Sequence, residues 1–397
     1  METIEQRVAR EARAMTRREV IVKAIDGQIT WIQAAQIIGI TDRQMRRLKL
    51  RYEHDGVDGV MDQRGGRPRR RRIPIGTIEE VCRLKREKYP DFSVRHFYEH
   101  LVEREGVKVS YSWTLGLLEE AGIVERAAAR GKYRRRRERR PMTGMLIHLD
   151  ASTHGWIAKQ PMQDLVVALD DADGRILFAR FYPEEGTRST LEAVREVVLR
   201  YGRFCELYTD RGAHFCKTPV AGGGPAEEQN GHVSRVMRAL GIRQVFARSP
   251  EARGRSERNF GTLQRRLPQE LRLHGISSYP DANRYLQETF VPDFNRRFTE
   301  RPALKETAFV RVGGKDLELV LSIQHERIVR NDNIVTLRGL ELQLPPTRLR
   351  PTLARCPVTV HELLDGTIAV SFQGRAVARF ASDGSAISQR RTNRKAA

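Results

Sequence analysis

The stretch "MLIHLDASTHGWIAKQPMQDLVVALDDADGRILFARFY", residues 145–182, predicts the architecture of the middle of the chain. It begins with an apolar strand at 145–152 that ends in an acid, and two strands joined by a hairpin turn follow over 163–182. An amphipathic helix is predicted at 189–202, and strands then alternate with helices. This order indicates a mixed α/β sheet with helices packed against it.

Two aspartates stand where predicted strands end, and a glutamate begins a later helix. Asp150 closes the first strand, and Asp210 closes a short strand in "FCELYTDRGAHF". Glu257 follows Gly254 in the basic segment "FARSPEARGRSERNFGTLQRRL", residues 246–267. Because functional groups gather at the carboxyl ends of parallel strands, we expect the three carboxylates to converge. Converging acids repel one another, and two Mg²⁺ or Mn²⁺ ions per active site are the usual resolution.

The composition indicates a phosphate-rich partner. Lys and Arg number 71 against 50 Asp and Glu, which gives a net charge of +21. No apolar run approaches the roughly 18 residues that span a bilayer, and no signal peptide is recognisable. The four cysteines have no C-x-x-C spacing, which suits a reducing compartment. We therefore expect a soluble, cytoplasmic protein that binds nucleic acid and no membrane.

A helix-turn-helix pattern precedes the predicted sheet. In "TWIQAAQIIGITDRQMRRLKLRY", residues 30–52, a small-residue helix stops at Gly39 and a basic helix follows. The second helix would enter the major groove, and the alternative is a helical hairpin with a solvated basic face. The side chains expected to reach DNA are Arg43, Gln44, Arg46 and Arg47.

Two arginine-rich segments, "RGGRPRRRR" at 64–72 and "RAAARGKYRRRRERRP" at 126–141, are predicted to be linkers that lie along DNA. The arginines expected to contact DNA there are Arg67, Arg69, Arg70, Arg134, Arg135 and Arg136. A second helical, helix-turn-helix-like unit is predicted between them. Its His96 and His100 have zinc-compatible spacing, but without a cysteine pair we interpret them as packed or solvated side chains.

The core segments resemble a known family. They are "HLDASTHGW", "LVVALDDADGRILFARFY", "LYTDRGAHF" and "GIRQVFARSPEARGRSERNFGTLQRRL". Residues 142–302 resemble the ribonuclease-H-like core of Asp-Asp-Glu transposases and retroviral integrases. The whole chain resembles a bacterial insertion-sequence transposase of the ISNCY type.

The resemblance implies the residues and the reaction. Asp150, Asp210 and Glu257 are the implied catalytic acids and metal ligands. Two-metal hydrolysis and transesterification would act on double-stranded DNA, at the transposon terminal inverted repeats and the target. The resemblance also implies a nucleoid-associated protein in the cytoplasm of bacteria. Joining two ends to one target would need a homo-oligomer, at least a dimer.

The predicted domains follow from these patterns. Short alternating strands after about residue 300 predict a small C-terminal β-barrel. The predicted organisation is a helix-turn-helix domain at 1–63, a basic linker at 64–75, a second helical DNA-binding domain at 76–125, a basic linker at 126–141, the catalytic core at 142–302, the β-domain at 303–382 and a basic tail at 383–397.

The resemblance departs from the retroviral pattern in two places. The interval between Asp210 and Glu257 has 46 residues, so Glu227, Glu228 and Glu251 are alternative third acids. The first two stand in a Gly-rich loop and Glu251 precedes the helix, which favours Glu257. The His/Cys zinc module of retroviral integrases is missing, and its zinc is not carried over.

Other side chains near the acids have two interpretations each. His154 and Trp156 resemble positions that contact the scissile phosphate and pack beneath it, and simple packing is the alternative. The arginines expected to contact phosphates beside Glu257 are Arg253, Arg255 and Arg258. Three further acids, interpreted as hairpin-turn residues rather than metal ligands, are Asp170, Asp171 and Asp173.

Two other functions remain open from the sequence. A metal-dependent DNA nuclease of the same fold would use the same acids without joining strands. A DNA-binding regulator with an inactive core would not need all three acids, and all three are present.

Overall fold

The chain forms two compact units, Met1–Glu80 and Val81–Ala397. The computed structural model describes residues 17–60, 73–125, 138–212, 215, 231–247, 254–313, 317–347 and 350–387. Within these ranges, no helix combines the length and the apolar character that crossing a bilayer requires.

Short capped helices make up the described part of the first unit. They are α1 at 17–25, α2 (Trp31–Ile38), α3 (Asp42–Asp55), α4 (Val57–Val60) and the first residues of α5 (Ile75–Glu87). Thr30 and Gln33 form a capping box at the start of α2, and Thr41 and Gln44 form another at α3. Gly39 ends α2 with a φ of 73°, a left-handed conformation that glycine adopts without steric cost. The predicted helix-turn-helix with its turn at Gly39 is confirmed.

Three helices open the second unit: the rest of α5, α6 (Val94–Glu103) and α7 (Tyr111–Glu120). Ser93 caps α6 and Ser110 caps α7, each by accepting a backbone N–H three residues later. Their shared core includes the fully buried Tyr89, Phe97 and Leu101. This helical set therefore has an apolar core of its own.

A five-stranded mixed sheet forms the centre of the second unit. Its strands are β1 (Leu146–His154), β2 (Gln163–Asp170), β3 (Ile176–Tyr182), β4 (Glu206–Thr209) and β5 (Arg243–Phe246). The order is β3-β2-β1-β4-β5, in which β1 to β3 are antiparallel neighbours and β4 and β5 run parallel to β1. The predicted mixed sheet of the integrase-like core is confirmed.

Helices cover both faces of the sheet because the strands alternate apolar side chains between them. Val166 and Ala168 pack in one cluster, with α8 (Thr187–Arg200) and α9 (His232–Leu240). Leu165 and Val167 point into the other cluster. The helices on that side are α10 (Gly254–Gln264), α11 (Leu267–Leu273), α12 (Tyr279–Tyr285) and α13 (Val291–Phe298), with a π-helical turn (Leu286–Phe290) between the last two.

The C-terminal strands form two small sheets. They are β6 (Ile323–Ile328), β7 (Ile334–Leu337), β8 (Leu340–Gln343), β9 (Pro357–Glu362), β10 (Ile368–Phe372) and β11 (Arg375–Phe380), after the short α14 (Leu317–Val320). One sheet has the order β11-β10-β9-β6, and β7 pairs only with β8. The predicted barrel is therefore not closed among the described strands, because β6 and β11 remain the two edges of an open sheet.

Candidate active site

The register of β1 and β4 brings the two aspartates to one end of the sheet. Ile147 is paired with Leu207 and His148 with Tyr208 in the parallel ladder. Continuing this register by two residues sets Asp150 beside Asp210, which directly follows β4. Along each of these two parallel strands, an aspartate thus stands two residues after the last paired position.

Both aspartates have a defined local conformation. Asp150 is 8% exposed, and its Oδ1 accepts the backbone N–H of Ala151 at 2.9 Å. Asp210 is half-buried, and its Oδ1 accepts the backbone N–H of Gly212 at 2.8 Å. The predicted end of the first strand at Asp150 is wrong, because β1 stays paired with β2 as far as His154, whereas β4 does end at Thr209, directly before Asp210.

Helix α10 carries the glutamate and is fixed to the sheet at both ends. Near its start, Arg255 forms an ion pair with Asp171, which also accepts a hydrogen bond from His148 Nε2 at 2.7 Å. At its end, Gln264 Nε2 donates to Ser152 Oγ at 2.9 Å. Since His148 and Ser152 lie on β1, the helix runs along this strand.

The lengths of the helix and the strand place Glu257. The nine residue steps of α10 between its two anchors, and the four matching steps of β1, each span about 13.5 Å. Glu257 comes two steps after the first anchor, so it lies alongside the part of β1 that leads to Asp150. Its side chain is exposed, whereas the neighbouring Ser256 is buried. Glu257 therefore lies on a helix that runs alongside β1, the strand that carries Asp150.

A buried polar layer lies two residues before the aspartates. Asp171 is fully buried and accepts hydrogen bonds from His148 and from the backbone N–H of Arg140, at 2.8 Å for the latter. Burial alone would raise the pKa of Asp171, but the bond from His148, together with Arg255, holds it well below the usual range. The His148 ring lies 5.0 Å from the ring of Tyr208. This layer fixes the start of α10, and with it Glu257, to β1 and β2.

Sequence reasoning missed this role of Asp171. Asp170 and Asp173 do act as turn residues, since they accept the backbone N–H groups of Ala172 and Arg175. Asp171 stands between them but forms long-range contacts instead. The signal was His148, which shares a strand face with Asp150 and needs a buried partner.

The two side chains expected beyond Asp150 lie at the end of β1. Trp156 is buried, donates its Nε1–H to the Gln163 carbonyl at 3.0 Å, and packs against Phe181. His154 is half-buried with its ring 5.0 Å from that of Trp156. Trp156 thus supports the strand end, and His154 keeps part of its ring accessible.

The predicted DNA contacts divide into three groups. On α3, all four candidates are exposed, and they are Arg43, Gln44, Arg46 and Arg47. The Gln44 Oε1 accepts the backbone N–H of Thr41 at 3.0 Å, so part of its amide serves the helix cap. On α10, Arg258 is exposed, whereas Arg255 is engaged by Asp171. Outside the described residues lie Arg67, Arg69, Arg70, Arg134, Arg135, Arg136 and Arg253, and also the alternative acids Glu227, Glu228 and Glu251.

The three acids offer only oxygen ligands, which suits Mg²⁺ or Mn²⁺. Within the described residues, the group whose ligand atoms already lie within 4.8 Å of one another is a different one, His96, His100 and Glu270. Among the described side chains, Asp150, Asp210 and Glu257 are not such a group.

Family comparisons match the N-terminal helices. A helix-turn-helix domain family matches residues 16–69, and a homeodomain-like domain family matches residues 44–113. Among solved structures, a simian T-cell lymphotropic virus intasome bound to a PP2A regulatory subunit aligns with a TM-score of 0.34 at 14% identity. That alignment covers 77% of this chain and 99% of the other. The HTLV-2 integrase catalytic core domain in complex with magnesium aligns with a TM-score of 0.28 at 16% identity, over 37% of this chain and 89% of the other.

Both TM-scores are low, so the family assignment comes from relatives in sequence. The protein named "Putative transposase y4bF" of Sinorhizobium fredii is 30% identical over 374 residues, which are 93% of this chain and 81% of that protein. The transposase for insertion sequence IS1202 of Streptococcus pneumoniae is 26% identical over 325 residues, with 73% of this chain and 69% of that protein covered. The chain belongs to the transposases of bacterial insertion sequences.

Proposed function

We propose that this transposase binds the terminal inverted repeats of its element and catalyses metal-dependent DNA cleavage and strand transfer at Asp150, Asp210 and Glu257. The observation that supports the proposal is the parallel register of β1 and β4, which leads to Asp150 and Asp210, together with the attachment of α10 along β1. Its place of action would be nucleoid DNA in the bacterial cytoplasm.

The donor set fits a pair of hard divalent cations. Asp150, Asp210 and Glu257 would hold two Mg²⁺ or Mn²⁺ ions through carboxylate oxygens. When bound, the ions would activate the attacking oxygen and stabilise the leaving oxygen of a phosphodiester.

The protein's own side chains would position the DNA and the third acid. Arg258 is exposed one residue after Glu257 and is suited to a phosphate of the bound strand. Arg255 was expected to do the same, but its ion pair with Asp171 gives it a positioning role for α10. The accessible part of the His154 ring would face the scissile strand beyond Asp150.

The test compares cleavage and joining of duplexes that carry the element's ends. Asp150→Asn, Asp210→Asn and Glu257→Gln should each abolish both steps in Mg²⁺ while end binding persists, because ligation needs the carboxylates and DNA affinity does not. Glu251→Gln is the matched control and should stay active. Activity within tenfold of wild type in any of the three variants would remove that residue from the site.

The same assay separates the two alternative functions. Cleavage without joining would support a nuclease, and specific binding without cleavage would support a regulator with an inactive core. Ca²⁺ should support binding but little catalysis, and full activity in excess EDTA would end the two-metal proposal.

We further propose that the active assembly is at least a dimer. Two ends joined to one target need two active sites held together. A Glu257→Gln chain mixed with an Arg43→Ala, Arg47→Ala chain should recover strand transfer if one subunit cuts the DNA that another holds.

A further inference from the structure

A buried polar group lies where α6 meets α11, away from the catalytic acids. His96 Nε2 is 2.7 Å and His100 Nε2 is 2.6 Å from the same Oε1 atom of Glu270. The three residues are 2%, 5% and 6% exposed, respectively. His96 and His100 are one helical turn apart, which sets both rings on one face of α6.

Hydrogen bonding alone leaves this group poorly satisfied. Both imidazoles direct Nε2 at one carboxylate oxygen, and within the described residues neither Nδ1 has a hydrogen-bond partner. The two Nε2 atoms and Glu270 Oε1 are all potential metal ligands, and they lie within 4.8 Å of one another, so an ion placed among them would be held by all three. The other oxygen, Glu270 Oε2, lies 3.4 Å from the Tyr285 hydroxyl and 3.6 Å from Arg104.

We propose that His96, His100 and Glu270 bind one Zn²⁺ ion. Two imidazole nitrogens and one carboxylate oxygen are an established zinc donor set, which leaves a fourth position for water. Imidazole favours Zn²⁺ over Mg²⁺, so this site and the oxygen-only catalytic site select different ions.

The surroundings can accommodate the ion. Ligands of tetrahedral zinc lie roughly 3.3 Å apart, so the donor atoms must separate by roughly 0.6 Å. A cavity of about 300 Å³ adjoins the group, and its lining includes Tyr285 and Phe290. It provides room for this movement and for the fourth ligand. Arg104 and Tyr285 would orient the carboxylate through Oε2, as partners of metal ligands commonly do.

The ion would join the helical set to the catalytic core. His96 and His100 precede the sheet, whereas Glu270 follows it, 174 and 170 residues later in the chain. The site differs from the zinc module of retroviral integrases, because it contains no cysteine and takes one ligand from the core. It does not depend on the chemistry proposed at the catalytic acids.

The test measures zinc bound to the full-length chain. After chelation, gel filtration and addition of ZnSO₄, we expect one zinc per wild-type chain by mass spectrometry and a melting temperature several degrees higher. His100→Gln and Glu270→Gln should lose the zinc and the shift. His274→Gln, a histidine whose ring contacts Tyr285, is the matched control and should keep both. Asp150→Asn should also keep both, which would separate this site from the catalytic acids.

A wild-type chain that binds no zinc, or a His100→Gln chain that retains it, would overturn the proposal. Because Glu270→Gln could fail to fold, Co²⁺ binding to the wild type gives an independent measurement. Intense visible absorption from four-coordinate Co²⁺ with imidazole ligands is expected. Only the weak absorption of six-coordinate Co²⁺ would contradict the proposed ligands.

Discussion

The helices at 17–60 and those at 75–120 precede the same sheet but use their charges in opposite ways. α3 buries Met45 and Leu48 and exposes a face of arginines, with Arg43 and Arg47 among them. α7, "YSWTLGLLEE", contains no lysine or arginine and ends in two glutamates. α3 thus presents positive charge on its exposed face, whereas α7, the last helix of the second set, carries no positive side chain.

Three acidic side chains on α6 and just before it form ion pairs with arginines of the core. Glu99 on α6 is bound by Arg266 at 2.7 Å, and Glu103 by Arg297 at 2.8 Å. Asp91 is bound by Arg272 at 2.6 Å, just before α6. A helix-turn-helix-like pattern therefore does not by itself identify a DNA-binding surface. A polar face must also stay exposed to contact DNA, so we expect base recognition mainly from α3.

Loss of two arginines from α3 should have the greatest effect on DNA binding. The double variant Arg43→Ala, Arg47→Ala should weaken specific end binding by about 100-fold or more, since each base contact contributes about 1–3 kcal/mol. The matched α7 variant Ser112→Ala, Glu120→Ala should change binding by less than about 3-fold. Fluorescence anisotropy with end and scrambled duplexes at one salt concentration measures both. Equal losses in the two variants would show that both helical sets read bases.

A smaller effect would test the docking of α6. Glu99→Ala should destabilise the second unit by about 3 kcal/mol, because it leaves the largely buried Arg266 without its carboxylate. Arg95→Ala removes an exposed partner of the same glutamate and should cost less than about 1 kcal/mol. Urea unfolding followed by tryptophan fluorescence in a Trp31→Phe background reports on this unit. Similar costs for both variants would contradict a buried anchor.

The smallest effect concerns pH in chelated, metal-free protein. Burial lowers the pKa of His96 below its ordinary 6.5, although the bond to Glu270 opposes this. The unfolded chain therefore takes up the proton first, so stability is full above the ordinary pKa and falls as the pH drops below it. The loss should be at most about 1.4 kcal/mol per pH unit.

Unfolding of the wild type at pH 7.5 and 5.5 measures this slope, and His96→Gln should make it shallower. With tryptophan fluorescence in the Trp31→Phe background as the readout, His54→Gln is the control, because His54 lies in the first unit and its replacement should leave the slope of the second unit unchanged. A slope that persists in His96→Gln would assign the pH dependence to other groups.

The sequence predicted those features that depend on neighbouring residues. The turn at Gly39, the strand that contains Asp150 and the helix beginning at Gly254 follow from local periodicity and caps. The site residues and the domain boundaries stay predictions, although the register of β1 and β4 supports the pairing of Asp150 with Asp210.

Contacts between residues that are distant in the chain were not predicted from the sequence. The spacing of His96 and His100 shows a shared helix face, but nothing local connects them with Glu270. Asp171 reads as a turn residue until His148 is seen to bond it. Barrel closure, which is not found among the described strands, could not be predicted, because turn signals indicate hairpins whereas closure depends on which edge strands meet.

The sheet order also governs when the protein can acquire its activity during synthesis. β1 can pair with β2, and β2 with β3, as soon as they leave the ribosome, but the parallel partner of β1, β4, requires the crossover through α8. α10 emerges later still, and such distant contacts form slowly. A nascent transposase therefore passes through a stage in which the β1–β3 meander is folded but β4 and α10 have not yet packed against it. Truncated translation products that end before α10 would therefore contain α3 and its exposed arginines but lack Glu257.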